Sequence, residues 1–179
     1  SGKGSKDKLI SRLDEMGFEY VVTSQAGEGE ELARKATQDV VVAVGGDGTL
    51  NEVGRGILGT GKTLGIVPCG SGDGLARFLD IPHDVGKAVD VITAGKTIPL
   101  DAGLINGHPF FSVCGVGFDA NVSKAFAEAG RRGVLTYVEE ALRLWHNYSP
   151  EEFTIDIDGK KWTQEAVLVT VANSNQWGN

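Results

Sequence analysis

Two stretches, "DVVVAVGGDGTLNEV" (residues 39–53) and "TLGIVPCGSGDGLARF" (residues 63–78), share one design. In each, an apolar run rich in β-branched residues ends in a glycine cluster and passes straight into a helical pattern. Short continuous apolar runs fit parallel strands buried on both faces. Strand–turn–helix units in succession build a sheet covered by helices. The turns that leave neighbouring parallel strands then lie together at the carboxyl edge of the sheet, where open α/β folds bind ligands. This pairing restricts the fold more than any other feature of the chain.

The flanking sequence extends the alternation. "SKDKLISRLDEMG" reads as a helix capped by Ser5, with Leu9, Ile10, Leu13 and Met16 on one face and Gly17 as its stop. "EYVVT" reads as a strand, "GEELARKA" as a helix, and "DVGKAVDVITAG" as a helix ended by Gly95. The pattern changes near Ala94–Lys96. "TIPLDAGLI" and "HPFFSVCGVG" flank Asn106-Gly107, and "FTIDI" and "KKWTQEAVLVTVA" flank Asp158-Gly159, both strong hairpin signals. A helical stretch through "VLTYVEEALRLW" lies between them. The expected organisation is an α/β domain over residues 1–95 with a parallel sheet, then an incomplete β-rich domain over 96–179. The start at Ser1 and the loop-like "SNQWGN" at the end make both termini look cut.

Composition narrows the function. A net charge of −7 leaves no basic stripe for nucleic acid. A polybasic membrane anchor is equally unsupported. No apolar run approaches the ~20 residues of a membrane span, and no signal peptide is read. Cys69 and Cys114 lie far apart without a CxxC pattern, which fits two buried thiols in a reducing cytoplasm. Glycine is the outlier: 26 of 179 residues, against a usual share of ~7%, gathered in clusters where backbone must approach something closely.

Three glycine segments compete as phosphate loops. "GILGTGKT" (56–63) fits GxxxxGK[ST] letter for letter, but a helix precedes it and a strand follows, the reverse of what that motif needs. "AVGGDGTLNEV" has the right order. Gly45, Gly46 and Gly48 clear the way to backbone amides, Thr49 adds a hydroxyl, and the helix points its positive end there. Asp47 is the odd member, since a carboxylate repels phosphate. Magnesium coordination or general-base work would explain it, and so would helix capping. Asn51 stands where a dinucleotide GxGxxG would need glycine. "PCGSGDGLARF" repeats the architecture with Gly70, Ser71, Gly72, Asp73 and Gly74.

Together "GGDGTLNEV" and "PCGSGDGLAR" resemble the diacylglycerol kinase catalytic-domain family, which includes bacterial lipid kinases, sphingosine kinases and ceramide kinases. "SGKGS", "PLDAGLING", "GVGFDANV" and "VANSNQWGN" resemble further segments of that family in the same order, so the likeness runs through essentially the whole chain. It implies an NAD kinase- and phosphofructokinase-like nucleotide domain followed by part of a β-sandwich. It also implies ATP- and magnesium-dependent phosphorylation of a lipid hydroxyl at a membrane surface by a cytoplasmic, peripheral enzyme. Ser1, Gly2, Gly45, Gly46, Gly48, Thr49 and the amides around Gly70, Ser71, Gly72 and Asp73 would hold the nucleotide. Asp47 would manage magnesium and the reacting phosphoryl group, and Glu52 would brace its loop. Asp101, Phe118 and Asp119 would line a lipid cleft.

Two departures stand out. Bacterial members carry Gly-Thr-x-Asn-Asp where this chain has Gly70-Ser71-Gly72-Asp73-Gly74, so Asp73 replaces asparagine and Gly74 replaces aspartate. A small residue at 74 is closer to sphingosine kinases, which leaves the acceptor open between diacylglycerol and a sphingoid base or ceramide. The family's further catalytic carboxylate and acidic metal segment lie beyond Asn179. NAD kinase and a catalytically inactive nucleotide-binding module are the rival readings; a homodimer and the metal ligands are left open. His83, His108 and His146 lack partners at metal spacing and read as surface residues. The amphipathic helix after Arg131 and Arg132 reads as packing rather than as a membrane contact, and Trp145, Trp162 and Trp177 as core or edge residues.

Overall fold

Apolar strands that cannot face water must pair and be covered, and β1 (Val40–Gly45) and β2 (Thr63–Pro68) do both. The computed structural model describes residues 3–129 and 134–175. The chain divides into two compact units between Asp101 and Ala102. In the first, α1 (Lys3–Glu15) and α2 (Glu28–Lys35) precede β1. Helix α3 (Asp47–Ile57) connects β1 to β2, and α4 (Gly74–Phe78) and α5 (Val85–Thr93) follow.

Strands β1 and β2 run parallel in register, Val40 opposite Thr63 and Gly45 opposite Pro68. Helix α3 packs on both strands and on α2, and α5 packs on β2. Val67, Ala88 and Val89 form a buried cluster with Val42, Val44, Ile81, Val85 and Ile92 around it, which clamps α5 to the sheet. Asp84 caps α5 by accepting from the Lys87 amide at 3.0 Å.

The expected "EYVVT" strand does not form: residues 18–24 have no regular structure, and Tyr20, Val21 and Val22 are exposed. β-propensity alone does not hold a strand that has no partner for its amides. Ser5 lies inside α1, not at its cap, because the helix already runs at Lys3. Gly17 takes φ 71° just past its end, as a stop residue should. Around the Walker-like segment, α3 ends at Ile57, Gly59 and Gly61 take positive φ, and β2 begins at Thr63. The segment is a helix-to-strand connection.

The second unit holds hairpins β3–β4 (Gly103–Ile105, His108–Phe110) and β6–β7 (Glu151–Ile157, Lys160–Ala166). Both turn on pairs with left-handed φ, Asn106-Gly107 at 49° and 79°, Asp158-Gly159 at 51° and 79°. These are the backbone angles that a two-residue turn between twisted strands demands. The long apolar runs break, however. "HPFFSVCGVG" divides into β4 and β5 (Val113–Gly117), and "KKWTQEAVLVTVA" into β7 and β8 (Leu168–Ala172). β8 leaves the hairpin to pair antiparallel with β5. Helices α6 (Phe118–Glu128) and α7 (Val134–Trp145) pack together between these strands in sequence.

Candidate functional site

Register fixes the site first. With Gly45 opposite Pro68, both glycine loops leave the same edge of the sheet, and the Cys69 amide donates to the Gly45 carbonyl at 2.9 Å to carry the ladder one step further. The loops then touch. A Cβ on Gly70 would lie 2.7 Å from Gly46 Cα and 2.6 Å from Asp73 Oδ1. Only glycine permits that approach.

Gly46 is the N-cap of α3 and brings no side-chain acceptor, so the first-turn amides of Asp47, Gly48 and Thr49 have no side-chain cap. A Cβ on Gly48 would meet nothing within 4 Å, so open space lies beside this turn. Uncapped amides at the positive end of an eleven-residue helix, with room beside them, suit a phosphate oxygen. The Thr49 side chain folds back against Gly45, leaving no room for a Cβ there.

The second loop is wired differently. Asp47 does not point away from the protein: its Oδ2 accepts from the Asp73 amide and its Oδ1 from the Gly74 amide, both at 2.9 Å. The carboxylate thus caps α4 from the neighbouring loop. Asp73 takes the left-handed conformation (φ 51°, ψ 43°), tolerated best by glycine, asparagine and aspartate. Its side chain turns inward, and Oδ1 accepts from the Gly70 amide at 3.1 Å. Arg77 Nε donates to the Gly72 carbonyl at 2.8 Å and closes the turn. The amides of Gly70, Asp73 and Gly74 are therefore occupied by the chain's own carboxylates.

Asp73 is only 2% exposed. Burial pushes its carboxyl above the ordinary aspartate value, the nearby Asp47 charge adds to this, and His83, the Gly70 amide and Arg77 oppose it. Oδ2 has no hydrogen-bond donor, and His83 Nδ1 stands 3.5 Å away. His83, read from sequence as a surface residue, is half exposed but stands against the buried Asp73; ten positions of loop and short helix separate the two, and no spacing rule links them.

Glu52 serves another helix. Its Oε1 accepts from the Gly27 amide at 2.8 Å and its Oε2 from the Gly29 amide at 3.1 Å, which caps α2 rather than the glycine loop. Ser1 and Gly2 lie outside the described residues. Asp101 is exposed, two residues before β3 and not within a strand. Phe118 opens α6 and packs edge-on against Trp145 and Tyr148, with ring centroids 5.3 and 5.1 Å away. Asp119 stands in the first turn of α6, where its charge adds to burial in raising the Tyr137 hydroxyl. Trp145 and Trp162 are exposed, and Cys69, expected to be buried, is an exposed residue of the second loop whose thiol is raised by partial desolvation and then by the Asp73 charge.

Among the described residues no group of three His, Cys, Asp or Glu side chains could hold a metal ion. Asp47 spends both oxygens on amides, and Gly74 stands where the family pattern has an acid.

A parallel α/β unit with paired glycine loops at its sheet edge, continued by β hairpins, belongs to the class of α/β folds whose ligand sites lie at that edge. The chain belongs to the diacylglycerol kinase catalytic-domain family, whose model matches residues 1–105. Residues 112–179 match the YegS C-terminal NAD kinase beta sandwich-like domain. It is 31% identical to a diacylglycerol kinase of Bacillus subtilis over 96% of this chain and 60% of that protein. With a diacylglycerol kinase of Staphylococcus aureus it shares 30% identity over 94% of this chain and 56% of that one. The crystal structure of a diacylglycerol kinase from Bacillus anthracis superposes with a TM-score of 0.65 at 28% identity, covering 87% of this chain and 53% of that chain. The chain thus spans between half and two thirds of the length of these relatives.

Proposed function

We propose that the protein of which this chain forms part transfers the γ-phosphate of ATP to a lipid hydroxyl, with diacylglycerol as acceptor and phosphatidate as product. The observation that carries this is the contact of the two glycine loops at one sheet edge beside the uncapped first turn of α3. The amides of Asp47, Gly48, Thr49, Ser71 and Gly72 take the phosphate oxygens, and Gly45, Gly46 and Gly70 let the backbones close. Asp47 and Asp73 are positioning residues, which shape the second loop through its amides.

In the transfer, the lipid hydroxyl oxygen bonds to the γ-phosphorus as the bond from that phosphorus to the ADP β-phosphate oxygen breaks, and the hydroxyl proton is lost to solvent. Most of the acceleration in such reactions comes from positioning and charge stabilisation. Magnesium, when bound with ATP, would neutralise phosphate charge. Asp101, Phe118 and Asp119 are proposed to meet the lipid. Among the described residues no helix is long and apolar enough to cross a membrane; the proposal is of a cytoplasmic enzyme that meets its substrate at the membrane surface.

The test is ADP release by the full-length protein in mixed micelles carrying diacylglycerol, sphingosine, ceramide or no lipid, with NAD as a separate acceptor. Turnover with diacylglycerol above the lipid-free rate is expected. Turnover with NAD alone, or none with any acceptor, would overturn the assignment.

A further inference from the structure

We propose that His83 is a positioning residue of the second glycine loop, supplying the counter-charge that lets the buried Asp73 hold Gly70–Gly74 in shape. An ionised carboxylate at 2% exposure needs a partner. Oδ1 has the Gly70 amide; Oδ2 has no hydrogen-bond donor. Around it stand the Asp47 carboxylate, whose charge is unfavourable, the Arg77 guanidinium, turned to the Gly72 carbonyl, and the Cys69 thiol. The neighbouring Asp84 is committed to the Lys87 amide. His83 Nδ1, 3.5 Å from Oδ2, is the group that faces the orphan oxygen, and the two form an ion pair when the imidazole is protonated. Its side chain is 47% exposed, so the ring meets solvent while Nδ1 faces the carboxylate. The pair closes the turn from inside and so keeps Gly70–Gly74 in the shape in which Ser71 and Gly72 would meet a phosphate.

The last clause rests on the reading that these two residues meet the ATP phosphates, so the test has two readouts. In the full-length protein, wild type is compared with His83→Ala, Asp73→Asn and the double variant. Hydrogen exchange across residues 69–74 is followed without nucleotide, and ATP dissociation constants are measured alongside. His83→Ala should speed exchange and weaken ATP about three-fold or more. In the Asp73→Asn background it should change neither, because the charge it balances is gone. His83→Lys, which keeps a cation, should restore most of the loss, and His83→Asn should not. Equal effects of His83→Ala in both backgrounds, or no effect on exchange in wild type, would overturn the proposal. If wild-type protein binds no ATP, the nucleotide reading falls, and the exchange measurements alone decide the fate of the pair.

Discussion

Asp73 shows how one residue couples folding to solution conditions. Its folded carboxyl is raised, chiefly by burial and then by the Asp47 charge. The folded state therefore keeps a proton that the unfolded chain releases near the ordinary value of 3.8. Stability associated with this group is fully present below that value and is lost as pH rises through the higher folded value. Asp73→Asn carries no such proton. Its stability relative to wild type should increase as pH is raised from about 3.5 to about 7, in denaturant titrations run at both ends. A constant difference across that range would mean that Asp73 is not held in its buried environment. Asp47 makes a different residue-scale point. An acid within a glycine loop was read from sequence as a magnesium or base candidate, or as a cap, and the structure makes it a cap for a helix starting 27 residues later. Nothing local to "GGDGT" announces the partner amides, because they are brought to it by strand pairing.

Elements whose signals are local were legible, and those that depend on distant partners were not. The paired glycine loops and the two Xaa-Gly hairpin turns rest on chemistry within a few residues. The "EYVVT" segment failed because β-branched composition does not supply a neighbouring strand. The departure of β8 toward β5, across some fifty residues of chain, carries no periodic signature at all. Helix α2 shows the same principle in miniature: its own N-cap, Gly27, brings no side chain, and the acceptors come from Glu52 on α3. Glu52→Ala should cost about 1–2 kcal/mol and raise exchange most at the α2 N-terminus, with Glu52→Gln costing less. An unchanged denaturation midpoint would show that α2 is held by packing alone.

At the scale of the whole chain, the two compact units meet in sequence along an exposed stretch. Residues 93–101 are all exposed, and from Lys96 to Ala102 there is no regular structure. Brief digestion with trypsin should cut first after Lys96 and release an N-terminal fragment of that mass before either unit is degraded, since exposed segments without secondary structure are the preferred sites of nicking. Early cutting inside α3 or α5 instead would show that the first unit opens before the segment that follows it.

The carboxylate of Asp47 has one more consequence. Seated on the leading amides of α4, it occupies the place that an external anion would otherwise seek, so one of the two helix ends arrives already plugged. Only the α3 end remains an open electrical socket. Changes there should alter binding through charge, whereas changes across the facing turn should act through contour.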